Sequence, residues 1–222
     1  MPFIPGRMAI VDQTSSSYLV RGAEPLNASH IFSYIEMTQT IPSIDWKNMS
    51  LVDVCLIDNV GERADWEVEM TSYGQNPALY PSSNWPPYNF QPDWDPALPM
   101  GNQLDYGTGK VPGSIVWWPI EGFDKGTDPT VFLTYPGWDF SGLIMTLQRL
   151  LLDPKTVVYV HCELGTDRTG AAVMGYLMKW KGMAYVQALK AASTGAPEIK
   201  VPDKNYQNLA YAYAKTIGRA SF

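Results

Sequence analysis

Thr156-Val157-Val158-Tyr159-Val160-His161-Cys162-Glu163-Leu164-Gly165-Thr166-Asp167-Arg168-Thr169-Gly170 is the stretch that decides the fold. Thr156 to His161 is β-branched and aromatic, and it reads as a buried strand. From about Arg168 to Trp180 the chain reads as a helix with Ala, Val, Met and Leu on a broad apolar face. Five residues separate Cys162 from Arg168. A loop of that length can wrap backbone N–H groups around one tetrahedral anion. The helix start adds its own unpaired N–H groups and positive dipole end. Gly165 supplies a turn that a residue with a β-carbon resists. Arg168 offers a planar fork that matches two oxygens of a phosphate. Cys162 then lies at the bottom of a positive bowl, where a thiol is deprotonated easily and can attack bound phosphorus.

Working outward, strand-like and helix-like segments alternate closely from Ser114 onward. Ser114 to Trp118 reads as a strand ended by Pro119. Asp139 opens a helix whose Phe140, Leu143, Ile144, Leu147, Leu150 and Leu151 follow the helical period, and Pro154 ends it. Further helices are expected over Ala184 to Ala192 and Pro202 to Ile217. In the N-terminal half, Tyr18 to Arg21 and Leu51 to Ile57 read as strands, and a helix is expected near Asn27, its candidate cap. This alternation implies an α/β fold: one domain over residues 1–222, with a central, mainly parallel β-sheet flanked by helices. The exception is a Pro- and aromatic-rich excursion at about 70–113, read as a lid or binding loop.

The chain has 222 residues, of which 45% are hydrophobic and 13% aromatic. That is enough apolar surface to offset the entropy of ordering, so disorder is excluded. The net charge of −6 argues against a general nucleic-acid or anionic-membrane binder. No apolar run reaches the length of a membrane span, so no stable membrane insertion is expected. The start lacks the pattern of a signal peptide. Two cysteines, Cys55 and Cys162, fit a reducing, cytoplasmic setting, or delivery into another cell. Cys55 reads as a small buried hydrophobe, or as a thiol that protects Cys162 through a reversible disulfide if the two strands are neighbours.

The run HCELGTDRTG resembles the His-Cys-x5-Arg-Ser/Thr signature of the cysteine-dependent protein tyrosine and dual-specificity phosphatases. The resemblance is strongest over 114–217 and extends weakly to YLVRGAEP at 18–25. It implies that Cys162 attacks phosphorus to form a phosphocysteine. Arg168 and the N–H groups of Glu163, Leu164, Gly165, Thr166, Asp167 and Arg168 would hold the transferring oxygens. Thr169 would help the sulfur leave, and His161 would support the loop. No cofactor and no metal are expected. The general acid is left open. Asp124, 38 residues before Cys162, suits the family's Asp-x-Gly-x-Pro loop, with Asp128 and Glu121 nearby. Asp167, just before the signature Arg, resembles the in-loop acid of myotubularins and certain bacterial lipid-and-tyrosine phosphatases.

For substrate, the loop carries Glu163 and Asp167 and no Lys. Residues 64–109 add Asp65, Glu67, Glu69, Asp93, Asp95 and Asp105 and no base. That charge disfavours highly phosphorylated substrates. Expected partners are therefore a phosphorylated protein, phosphotyrosine or dual-specificity, or a small phosphomonoester. A phosphoinositide or inositol phosphate is the alternative. A catalytically weak module that binds phosphoproteins is the alternative of another class.

Overall fold

The computed structural model describes residues 3–58, 61–74, 76–79, 103–105, 110–120, 128–134 and 139–221. Six strands form one sheet: β1 (Ala9–Gln13), β2 (Tyr18–Ala23), β3 (Ser50–Cys55), β4 (Gln103–Asp105), β5 (Lys110–Trp117) and β6 (Thr156–Cys162), in the spatial order β1-β2-β6-β3-β5-β4. β2, β6, β3 and β5 run parallel, and β1 and β4 close the two edges antiparallel. The mainly parallel sheet expected from the alternating pattern is present. Parallel sheets are covered on both faces. β6 lies at the centre and every one of its residues is buried, which is why Val157 to Val160 at its middle carry no charge.

Six helices cover the sheet: α1 (Tyr34–Thr40), α2 (Arg63–Ser72), α3 (Phe140–Leu152), α4 (Asp167–Trp180), α5 (Tyr185–Ala192) and α6 (Lys204–Thr216). α3, α4, α5 and α6 pack with Val158, Val160 and Cys162 on one face. α1, α2 and the N-terminal segment pack with Val157 and Tyr159 on the other. Asp139 starts α3 as expected, its carboxylate accepting from Gly142 N–H at 2.9 Å; such a cap contributes about 1 kcal/mol. No helix among the described residues is long and apolar enough to cross a membrane.

Three expectations need correction. Asn27 does not open a helix. Its side-chain oxygen accepts from the N–H groups of Ser29 and Ile31, closing a turn, and His30 at φ 54° leaves the helical path, so α1 starts only at Tyr34. The excursion begins later than 70, because α2 runs to Ser72, and most of it lies outside the described residues. The protective disulfide is excluded by register. β3 and β6 are neighbours, but Cys55 pairs with His161, so Cys55 and Cys162 lie on opposite faces of the sheet.

Candidate active site

Parallel pairing brings the carboxyl ends of β2, β3 and β6 to one edge, with Ala23 beside Cys162 and Cys55 beside His161. Ligands favour that edge in open α/β sheets. β6 ends at Cys162 and α4 begins at Asp167, so the connecting loop spans Glu163 to Thr166. Gly165 takes φ 65°, and a β-carbon there would run into the Gly22 carbonyl. Only glycine fits.

Cys162 is buried. Burial alone would push its thiol up, but the Arg168 charge, the Thr169 hydroxyl and N–H, and the His161 charge together hold it below its ordinary value. The Thr169 hydroxyl is itself buried and lies close enough to Cys162 to favour its thiolate.

Arg168 opens its fork toward the loop after β3. Nη1 donates to Glu62 Oε2 at 2.6 Å and Nη2 to Glu62 Oε1, and Asp58 Oδ2 lies 3.9 Å away. Burial opposes the guanidinium charge, but Glu62 and the Cys162 charge raise its pKa further. Glu163 stands beside Glu62. Burial and that neighbouring carboxylate raise its carboxyl above the usual range.

His161 is fully buried behind the nucleophile. Its Nε2 lies 2.6 Å from Glu69 Oε1 and 3.0 Å from Asp53 Oδ1. Burial disfavours its charge, but these two carboxylates outweigh burial and push its pKa up. Burial raises Glu69 to about 7, with Asp53 adding and His161 opposing. Tyr73 donates to Asp53 at 2.9 Å, Cys55 to Glu69 at 3.2 Å, and Tyr159 stacks on the imidazole. Cys55, Glu69 and His161 bring three donor atoms together in a way that could hold a metal ion, among the described residues, and His161 and Cys55 each lie within hydrogen-bond distance of Glu69. The supporting role expected of His161 fits this setting.

Asp167 heads α4, and its Oδ1 accepts from the Asp203 N–H at 2.7 Å. Burial raises its carboxyl, the Asp203 N–H and the Arg168 charge oppose that rise, and the Asp203 charge adds to it. Asp128 is exposed and caps its own turn; hydrogen bonds from Thr130 hold it ionised, which suits a proton donor poorly. Asp124 and Glu121 lie outside the described residues.

The sequence reading missed Glu62, Glu69, Asp53, Tyr206 and two arginines. Tyr206, on α6, is raised to about 12 by burial, against the nearby Arg168 charge. The available signal for Glu69 was Trp66, Glu69, Met70 and Tyr73 at helical spacing. Nothing in the sequence marks Glu62 as the partner of Arg168.

The chain matches no protein-family model and no curated protein. Solved structures match over nearly the whole length. PTPMT1 superposes with a TM-score of 0.50 at 15% identity, over 95% of this chain and 96% of its own. PTPMT1 in complex with PI(5)P gives 0.49 at 12%, over 96% and 99%. Human DUSP28 gives 0.47 at 14%, over 98% and 99%. At these identities the likeness is one of fold. This chain has the fold of the cysteine-dependent tyrosine and dual-specificity phosphatases.

Proposed function

We propose that the protein hydrolyses phosphomonoesters through Cys162. The observation that carries this reading is a buried thiol at a strand end, followed by a loop that only glycine can turn, with the Arg168 charge near enough to favour the thiolate. In the first step the Cys162 thiolate attacks phosphorus. The S–P bond forms, the P–O ester bond breaks, and a carboxylic acid gives its proton to the departing oxygen. Among the described residues Asp167 is the acid best suited, raised by burial and holding one oxygen free of the Asp203 N–H. Water then attacks phosphorus, the S–P bond breaks, and inorganic phosphate leaves as thiolate returns. Arg168 and the loop N–H groups hold the oxygens throughout.

The substrate we propose is a phosphorylated protein, at tyrosine or with dual specificity. Asp58, Glu62, Glu163 and Asp167 surround the single fork of Arg168. This density of carboxyl groups suits one phosphate and repels several. Tyr206 beside the fork gives an aromatic surface of the kind a phosphotyrosine ring stacks on. A phosphoinositide is the second reading, favoured by the acid preceding the signature Arg.

The test is turnover of an aryl phosphate in chelator, with Cys162→Ser and vanadate as controls, followed by a panel of phosphopeptides and phosphoinositides that includes PI(5)P. Metal-independent turnover lost in Cys162→Ser is expected, with phosphopeptides preferred. Inactive, folded wild type sinks the enzyme reading in favour of a binding module. Phosphoinositide turnover far above that of any peptide overturns the substrate choice.

A further inference from the structure

The loop works as an oxyanion cradle only if its N–H groups face the bound oxygens, and backbone alone does not ensure that. A peptide plane can flip, turning an N–H outward and a carbonyl inward. Three successive planes of this loop are each held from behind. The Glu163 carbonyl accepts from the Glu24 N–H at 3.1 Å. The Leu164 carbonyl accepts from Arg7 Nη1 at 2.7 Å. The Gly165 carbonyl accepts from Arg21 Nη2 at 2.6 Å, while Arg21 Nη1 donates to the Ala192 carbonyl at the end of α5.

In a trans peptide the N–H points opposite to the carbonyl of the same plane. Drawing these three carbonyls outward therefore turns the N–H groups of Leu164, Gly165 and Thr166 the other way. Both arginines are buried, Arg21 at 2% exposure. Among the described residues neither pairs with a carboxylate in an ion pair, and the Nε of each makes no hydrogen bond. Two buried, unneutralised guanidinium groups are costly unless they serve a purpose. Burial depresses Arg21 to about 10, and the charge that favours its ionised form most is that of Cys162.

We propose that Arg7 and Arg21 are positioning residues of the phosphate loop: they set the peptide planes that bind the oxyanion, and Arg21 adds positive charge near the thiolate. This rests on the reading of the loop as an oxyanion site. It also makes the N-terminal segment part of the active site. Arg7 closes the turn Pro5–Arg7, held by Phe3 N–H on the Leu26 carbonyl and by Glu198 N–H on the Gly6 carbonyl at 2.8 Å.

The test compares Arg7→Met, Arg7→Lys and Arg21→Lys with wild type. The readouts are vanadate affinity, the thiolate pKa of Cys162 from iodoacetamide alkylation against pH, kcat and KM for an aryl phosphate, and circular dichroism. Arg7→Met is expected to fold, to lose roughly 10- to 100-fold in vanadate affinity and kcat/KM, short of deleting a donor outright, and to raise the thiolate pKa. Arg7→Lys should recover most of this, because one N–H bond is needed. Arg21→Lys should not, because one ammonium cannot span two carbonyls. A folded Arg7→Met with wild-type vanadate affinity and thiolate pKa overturns the proposal, whatever Arg21→Lys does. If wild type neither turns over aryl phosphate nor holds vanadate, the proposed function falls. The alkylation profile then still decides the arginines: a shift supports them and no shift overturns them.

Discussion

Glu24 gives the sharpest quantitative prediction. It follows β2, it is fully buried, and among the described residues neither carboxylate oxygen makes a hydrogen bond. Burial pushes its pKa up to about 9, with the Glu69 charge adding and His161 opposing. An acid raised on folding stabilises the protein only while it is protonated in both states. Above its unfolded value, near 4.5, the unfolded chain ionises and the folded one does not, so stability falls as pH rises toward the folded value. Within that window one proton separates the two states, and the slope is about 1.4 kcal/mol per pH unit. From pH 5 to pH 8 that amounts to about 4 kcal/mol, an upper bound because the site can relax. For a chain of this size it corresponds to a shift in Tm on the order of 10 °C. Glu24→Gln removes the titration and keeps the shape. Its effect at pH 4.5 reads the cost of burying an amide; the change from there to pH 8 reads the carboxyl alone. The assay is urea unfolding of wild type and variant at half-unit steps across this range. The variant should gain on wild type steadily as pH rises. Parallel stability curves would refute the reasoning, since they would mean Glu24 titrates alike in both states.

Other perturbations bear on the site. Gly165→Ala combines φ 65° with a clash on the Gly22 carbonyl, so it should destabilise by about 1–3 kcal/mol and abolish vanadate binding, checked by melting and by titration. Asp167→Asn, if Asp167 is the acid, should slow esters with poor leaving groups far more than good ones. The same pattern from Asp124→Asn alone would move the acid upstream. Glu69→Gln removes a carboxylate that keeps His161 charged. The acidic limb of kcat/KM should therefore shift to higher pH, because the thiolate loses the favourable His161 charge.

The half of the fold from β6 onward was legible because its determinants are local. A strand buried on both faces has an apolar middle, as Val157 to Val160 give β6, and a helix start must expose its N–H groups, so a strand ending near Cys162 and a helix starting near Arg168 can be read from spacing. What supports them is not local. Arg7 reaches a carbonyl 157 residues away and Arg21 one 144 away, and a sequence does not state which carbonyl a donor will reach. The acids show the same limit with a sharper consequence. Glu69 counted, by composition, among the negative charges of the 64–109 segment. In the fold it is fully buried, in line with Trp66, Met70 and Tyr73 on the inner side of α2. Its carboxyl broke the apolar stripe that would have announced that helix, and α2 was missed for that reason. Glu62, just before α2, and Asp58 put negative charge at Arg168 that the count over 64–109 did not include. These lie against the fork of Arg168, where each has low exposure and is screened less by solvent than a loop charge would be. On the function proposed above, these two carboxylates would disfavour a second phosphate at short range.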